Sequence, residues 1–137
     1  MSPRLVVERT YGAARREGYK RLRAFNNKAV GKAARQGLAI TLRDNSRVVG
    51  LLTGYTIWGW LFVDTLWVSE KQRGKNMGKA LLARAESEAR KRGARHAYLY
   101  SFSFQAPGFY RKLGYRQFGK LSGFPKGHSC HWLTKAL

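Results

Sequence analysis

The chain has 137 residues and a formal net charge of +20, from 27 Lys and Arg against seven Asp and Glu. With 44% hydrophobic and 25% charged residues it has the composition of a globular protein, long enough for one core and too short for two. Cys130 is the sole cysteine, so an internal disulfide framework is excluded. That, with no apolar h-region after Met1, leads us to expect a reducing, cytoplasmic setting and no secretory signal.

Leu5-Val6-Val7 is a short β-branched run and predicts a first strand. Tyr11 to Arg35 carries eight Lys and Arg and one acid, and its Ala, Leu and Phe residues suggest one or two amphipathic helices broken near Asn26-Asn27 or Gly31. Leu38 to Leu42 predicts a strand, Arg43 to Ser46 a turn, and Arg47 to Ile57 the second arm of a hairpin. Trp60 to Val68 is a further strand, entered through a turn at Trp58-Gly59. The apolar stretch Leu51 to Val68 is interrupted by Thr53, Gly54, Gly59 and Asp64, so two buried strands account for it better than a membrane span.

Met77 to Arg92 predicts a helix, with Leu81, Ala85 and Ala89 on one face, Glu86–Arg90 and Glu88–Arg92 pairs four apart, and Gly93 as the stop. A strand at His96 to Ser101, a short helix at Pro107 to Leu113 ended by Gly114, and strands at Tyr115 to Phe118 and Ser129 to Leu133 complete the series. The sum is a single domain over residues 1–137 in the mixed α/β (α+β) class, a central sheet with flanking helices. Trp58, Trp60, Trp67, Phe104 and Phe124 are assigned mainly to the core.

The segment from Leu66 through Leu82 is the most informative about function. An apolar strand ends and a basic, glycine-containing loop opens directly into a helix, which aims free backbone N–H groups at one place. Gly74 and Gly78 remove side chains where something must come close, and Asn76 tolerates a left-handed backbone. Arg73, Lys75 and Lys79 add positive charge. The spacing is not that of a P-loop, because three residues rather than four separate Gly74 from Gly78-Lys79 and Ala80 follows in place of Ser or Thr. The three-glycine dinucleotide fingerprint is also missing. By spacing alone the segment is either a phosphate or pyrophosphate cradle or an ordinary strand-to-helix turn on a basic protein.

Arg73-Gly74-Lys75-Asn76-Met77-Gly78 resembles the Arg/Gln-x-x-Gly-x-Gly/Ala loop of the GNAT superfamily of acyl-CoA-dependent N-acetyltransferases. Ala106-Pro107-Gly108-Phe109-Tyr110-Arg111-Lys112-Leu113-Gly114-Tyr115 resembles that family's second signature, Ala-x-x-Phe-Tyr-x-x-x-Gly-Tyr/Phe. The two stand in the family's order with a helix and a strand between them, and the element order matches from Leu5 to Leu133. Asn76 replaces the first loop glycine, and Ser103 stands where many members have Asn.

The resemblance implies a mostly antiparallel mixed sheet whose two parallel strands splay to admit acetyl-CoA as acetyl donor. It implies that the Arg73 to Gly78 backbone, with Met77 and Lys79, cradles the pyrophosphate, and that Leu66, Trp67 and Val68 pair with the pantetheine arm and polarise the thioester. It places Ser101, Phe102, Ser103, Ala106 and Phe109 on the other wall. It assigns Tyr110 to protonating the departing thiolate, against the alternative of a core tyrosine. Asp64 alone interrupts an apolar strand, and the family often has a carboxylate near that position. Asp64 is therefore either a base, with its affinity for a proton raised by burial, or a solvated or paired side chain on the strand's outer face.

No metal is expected, since His128, Cys130 and His131 do not share one strand face. The acceptor pocket is expected from Tyr19 to Arg35 and Lys120 to Ser129. Acceptors consistent with the reading are a small-molecule or protein amine, whereas a polycationic acceptor would be repelled. Two alternatives stand beside it: acetylation of an RNA-linked amine such as aminoacyl-tRNA, prompted by the +20 charge, and a non-catalytic basic binding module. No membrane partner is expected, and a homodimer is compatible with the reading.

Overall fold

The computed structural model describes residues 2–137. Two compact units divide the chain, one ending at Ala33 and the other running Ala34–Leu137. In the first unit a single helix, α1 (Gly12–Val30), replaces the broken pair expected from Asn26-Asn27. It stops at Gly31, whose φ of +80° suits glycine and whose N–H donates to Asn27 O at 3.0 Å. Asn27 Oδ1 accepts the Ala33 N–H at 3.3 Å, so this asparagine shapes the helix exit instead of breaking the helix. The helix buries none of its residues. Leu5-Val6-Val7 forms no strand, and the three residues are exposed. Three β-branched or aliphatic residues favour extension only when a neighbouring strand takes up their hydrogen bonds.

The second unit holds a six-stranded sheet in the order β1-β2-β3-β4-β6-β5. Its strands are β1 (Gln36–Asp44), β2 (Arg47–Ile57), β3 (Trp60–Val68), β4 (His96–Phe102), β5 (Arg116–Ser122) and β6 (Ser129–Ala136). Every pair is antiparallel except β3 with β4. The mixed, mostly antiparallel class read from the sequence is the class found. β2 turns into β3 through Trp58 (φ +50°) and Gly59 (φ +81°), the two positive angles that a tight primed hairpin turn requires.

One irregularity shapes everything near the site. On β2 and β3, Thr53 faces Thr65 and Gly54 faces Val63, so Asp64 has no partner and forms a β-bulge. Before the bulge Leu61 and Val63 point inward; after it Leu66 and Val68 do, while Asp64 and Thr65 are both exposed. The parallel pairing with β4 covers only Trp60–Phe62 against His96–Tyr98. Beyond it the two strands part.

Helix α2 (Met77–Lys91) packs over β1, β2 and β3. Leu81, Leu82, Ala85 and Ala89 are buried, and each leucine contributes about 2 kcal/mol of apolar burial. The two alanines let the helix lie close on the sheet. Its end is a Schellman closure: Gly93 (φ +89°) donates to Arg90 O and Ala94 donates to Ala89 O, both at 2.9 Å. The charge pairing differs from the expected Glu86–Arg90 and Glu88–Arg92 partners. Glu88 bonds Arg84 and Lys91, which hold its carboxyl below the usual range, the Arg84 bond most strongly. Glu86 is buried, accepting from Tyr115 Oη at 2.8 Å and from Lys135 Nζ at 2.9 Å.

The sheet's other face carries aromatic rings in series. Trp60 stacks on His96, Phe62 meets Tyr98 and Tyr100, and Tyr100 meets Trp132. Trp58, Trp60, Trp67, Phe104 and Phe124, expected mainly in the core, are all exposed. Their size drew them toward the core assignment, but the buried side is filled by leucine and alanine, which fit beneath a closely packed helix.

Candidate active site

The gap between β3 and β4 opens a groove of about 840 Å³. One wall is the bent end of β3, Asp64 to Val68. The second is the turn and first residues of α2, with Gln72, Arg73, Gly74, Asn76, Met77, Gly78 and Lys79. The third comes from β4 and the short helix α3 (Pro107–Lys112): Tyr100, Ser101, Phe104, Gln105, Ala106, Phe109 and Tyr110.

The loop before α2 takes the form its residues favour. A 3₁₀ turn over Glu70–Gln72 leads to Gly74 at φ +77°, and Asn76 caps the helix in the left-handed region at φ +61°. No side chain caps that end, so the first-turn N–H groups keep their capacity for an anion, and the helix dipole favours one. Arg73 Nε donates to Val68 O at 3.3 Å, fastening the loop to the end of β3. The two glycines act differently. Gly74 serves its positive φ and has open space around it. A Cβ on Gly78 would meet Phe109 Cζ at 3.3 Å, so this glycine lets α3 close against α2.

Tyr110 lies on α3 with its ring edge-on to Phe109 (5.1 Å) and to Tyr115 (5.9 Å). Burial pushes its phenol above the ordinary tyrosine range, so it is neutral at pH 7 and holds a proton to give. Tyr115 is held higher still, by burial first and then by the negative charge of Glu86.

Fourteen of the seventeen residues singled out from the sequence meet in this groove: Asp64, Leu66, Trp67, Val68, Arg73, Gly74, Asn76, Met77, Gly78, Lys79, Ser101, Ala106, Phe109 and Tyr110. Lys75, Phe102 and Ser103 do not line it; the Phe102 ring packs against Phe104 and Phe124. Lys75 is exposed on the loop and adds charge at longer range. Ser103 turns toward β6, where its Oγ accepts the Ser129 N–H at 3.1 Å and lies 3.4 Å from His128 Nδ1. It ties the β4–α3 loop to the sheet. Asp64 is exposed, so the buried carboxylate that was one of its two expected settings is not the one found. Thr65, Gln72, Tyr100, Phe104 and Gln105 also line the groove, none of them among the donor-binding residues expected from the sequence. The strand periodicity around β4 was the one available pointer to Tyr100.

His131 bonds Ser129 Oγ and Gln117 Oε1, and Cys130 is buried with its thiol pushed up by desolvation, an unreactive setting. Among the described residues no three His, Cys, Asp or Glu gather as a metal site, and no helix is long and apolar enough to cross a membrane.

The model of the acetyltransferase (GNAT) family matches residues 6–115. Acetyltransferase Atu2258 of Agrobacterium fabrum is 40% identical over 113 residues, 82% of each chain. The blasticidin-S acetyltransferase of Streptomyces morookaense is 40% identical over 95 residues, 69% of this chain and 70% of its own. The crystal structure of an acetyltransferase from Agrobacterium tumefaciens superposes with a TM-score of 0.90 at 34% identity, covering 99% of this chain and 100% of that one.

Proposed function

Because the chain belongs to the GNAT acetyltransferase family and is an acyltransferase, we propose that it moves the acetyl group of acetyl-CoA to the primary amine of a small molecule, by direct attack with both substrates bound together. The observation that carries this reading is the bulge at Asp64. It bends β3 away from β4, opens the groove for the donor, and sets a carboxylate where that groove meets a second, smaller depression of about 440 Å³. A depression of this size suits a small molecule. The Streptomyces relative, named for blasticidin-S, favours the same kind of acceptor.

The groove fits acetyl-CoA on three grounds. The uncapped N-terminus of α2, with Arg73 and Lys79 beside it, matches a pyrophosphate. The Leu66–Val68 edge that β4 leaves unpaired matches the amides of the pantetheine arm, which add to it as a strand would. A free N–H of that edge polarises the thioester carbonyl. Acetyl-CoA supplies an acyl group activated as a thioester; the chain's part is to position it and to move two protons.

Asp64, facing solvent, takes the proton of the incoming ammonium directly or through water, leaving a neutral amine to attack. Tyr110, protonated at neutral pH as any phenol is and held more firmly so by burial, gives its proton to the sulfur as the thiolate departs. Holding amine and thioester together supplies much of the remaining acceleration.

The test is calorimetric titration with acetyl-CoA, CoA, ATP and NAD, followed by incubation of acetyl-CoA with a panel of amines that includes blasticidin S, read by mass spectrometry. Selective binding of the two CoA species and gain of one acetyl group on an amine support the reading. Equal binding of all four nucleotides, or no acetylated amine at any concentration, overturns it.

A further inference from the structure

Among the described residues Asp64 alone lines both depressions. The smaller one has a floor of two rings, Tyr55 and Phe62, paired across β2 and β3 with centroids 5.3 Å apart. Gly37, opposite Tyr55 on β1, brings no side chain over them. At one side the Arg35 guanidinium lies over the Tyr55 ring, its carbon 3.9 Å from the ring centroid. Arg35 makes no ion pair with any described carboxylate. The hollow thus has an aromatic floor, an anion on the groove side and an unpaired, stacked cation at its rim.

We propose that this hollow is the acceptor site and that it selects a zwitterionic acceptor, an amine that also carries an oxyanion, joined by a flat or apolar body. The inference rests on the acetyl-transfer reading above. The amine turns to Asp64, the one position from which it can reach the donor groove. The body stacks on Tyr55 and Phe62. The oxyanion meets the fork of Arg35, whose paired donors match a carboxylate or a phosphate. The protein's charge favours the same class. A net +20 repels an acceptor bearing only cations, whereas an amine balanced by an oxyanion approaches without that penalty. The site lies on β1, β2 and β3, not in the Lys120 to Ser129 stretch expected from the sequence; of the expected residues it retains Arg35.

The experiment compares three ligands that share one ring: benzylamine, 4-(aminomethyl)benzoate and the matching phosphonate. Each is titrated by calorimetry into the full chain with CoA present, so that binding is read without turnover. The carboxylate or the phosphonate, and whichever is tighter names the oxyanion, binds roughly tenfold or more tightly than benzylamine. Arg35→Gln brings that ligand down to the affinity of benzylamine, and Arg35→Lys, which keeps the charge but not the fork, falls between. Equal affinity for all three in the unaltered protein overturns the proposal, as does an Arg35→Gln loss shared equally by benzylamine. If the anionic ligands bind preferentially but no acetylated product forms with acetyl-CoA, the acceptor class stands as a binding preference and the acetyl-transfer reading fails.

Discussion

Gly54 on β2 and Phe62 on β3 approach so closely at the bulge that a Cβ on Gly54 would run into the Phe62 carbonyl oxygen and its carbonyl carbon. The partner atoms are backbone, so no rotamer change relieves the clash. Gly54→Ala must therefore straighten the bulge or push the strands apart, at a cost of about 3 kcal/mol or more. Gly37→Ala is the matched control, since open space surrounds that position, and it shifts stability by no more than about 0.5–1 kcal/mol. Urea unfolding of the two variants checks this. A Gly54→Ala protein as stable as the Gly37→Ala protein would show that the bulge does not depend on the close approach of Gly54 to Phe62.

That bulge marks where reading the sequence stops. The strands, α2 and its glycine stop follow from periodicity and local turn chemistry, which act over a few residues. Asp64 stood out as a charge within an apolar run, but its direction depends on Gly54, which is ten places away in sequence and adjacent only across the ladder. A one-residue insertion in register reverses which side chains face out, and no local pattern reports it. Glu86 shows the same limit. Its spacing to Arg90 suggested a surface pair, whereas its partners Tyr115 and Lys135 arrive from β5's approach and from β6. The donor loop and Tyr110 were legible because their chemistry sits in contiguous residues; Arg35, just before β1, meets Tyr55 of β2 and Phe62 of β3 only once the sheet forms.

Gly78 tests the donor groove with little effect on the fold. Its one close neighbour is the Phe109 ring, a side chain that can yield, so a leucine there projects into the groove and displaces Phe109. Gly78→Leu is expected to weaken acetyl-CoA binding at least tenfold in calorimetry while the unfolding free energy falls by about 1–3 kcal/mol, leaving the chain folded. Undiminished binding would move the pyrophosphate away from the first turn of α2.

Tyr110→Phe keeps the ring against Phe109 and Tyr115 and removes only the proton. The expectation is a loss in kcat of about 10²-fold with KM for acetyl-CoA within about twofold. The pH profile carries a further sign. Burial raises the phenol above its ordinary value near 10, so the donor stays protonated and the alkaline fall in kcat begins only above about pH 10. An alkaline limb centred near pH 8 that survives in Tyr110→Phe would assign the proton to another group.

The buried set Glu86, Tyr115 and Lys135 joins α2 to β6 and to the residue just before β5, behind the groove. Removing the carboxylate leaves a largely buried ammonium and a phenol without partners, so Glu86→Ala costs about 3 kcal/mol or more, and Glu86→Gln, which keeps an acceptor, costs less. Tyr115 gives the set a pH signature. Its phenol is raised in the folded state, by burial first and then by the Glu86 charge, so below about pH 10 both states hold the proton and its contribution to stability is complete. Above that value the unfolded chain releases the proton while the folded chain keeps it, and stability falls as pH rises, by about 1.4 kcal/mol per unit for such a group. Tyr115→Phe removes one titrating group, so its stability starts lower at pH 7 but declines less steeply between pH 10 and 11.5. Parallel slopes for the two proteins over that interval, measured by urea unfolding, would show that Tyr115 is not held protonated by its surroundings.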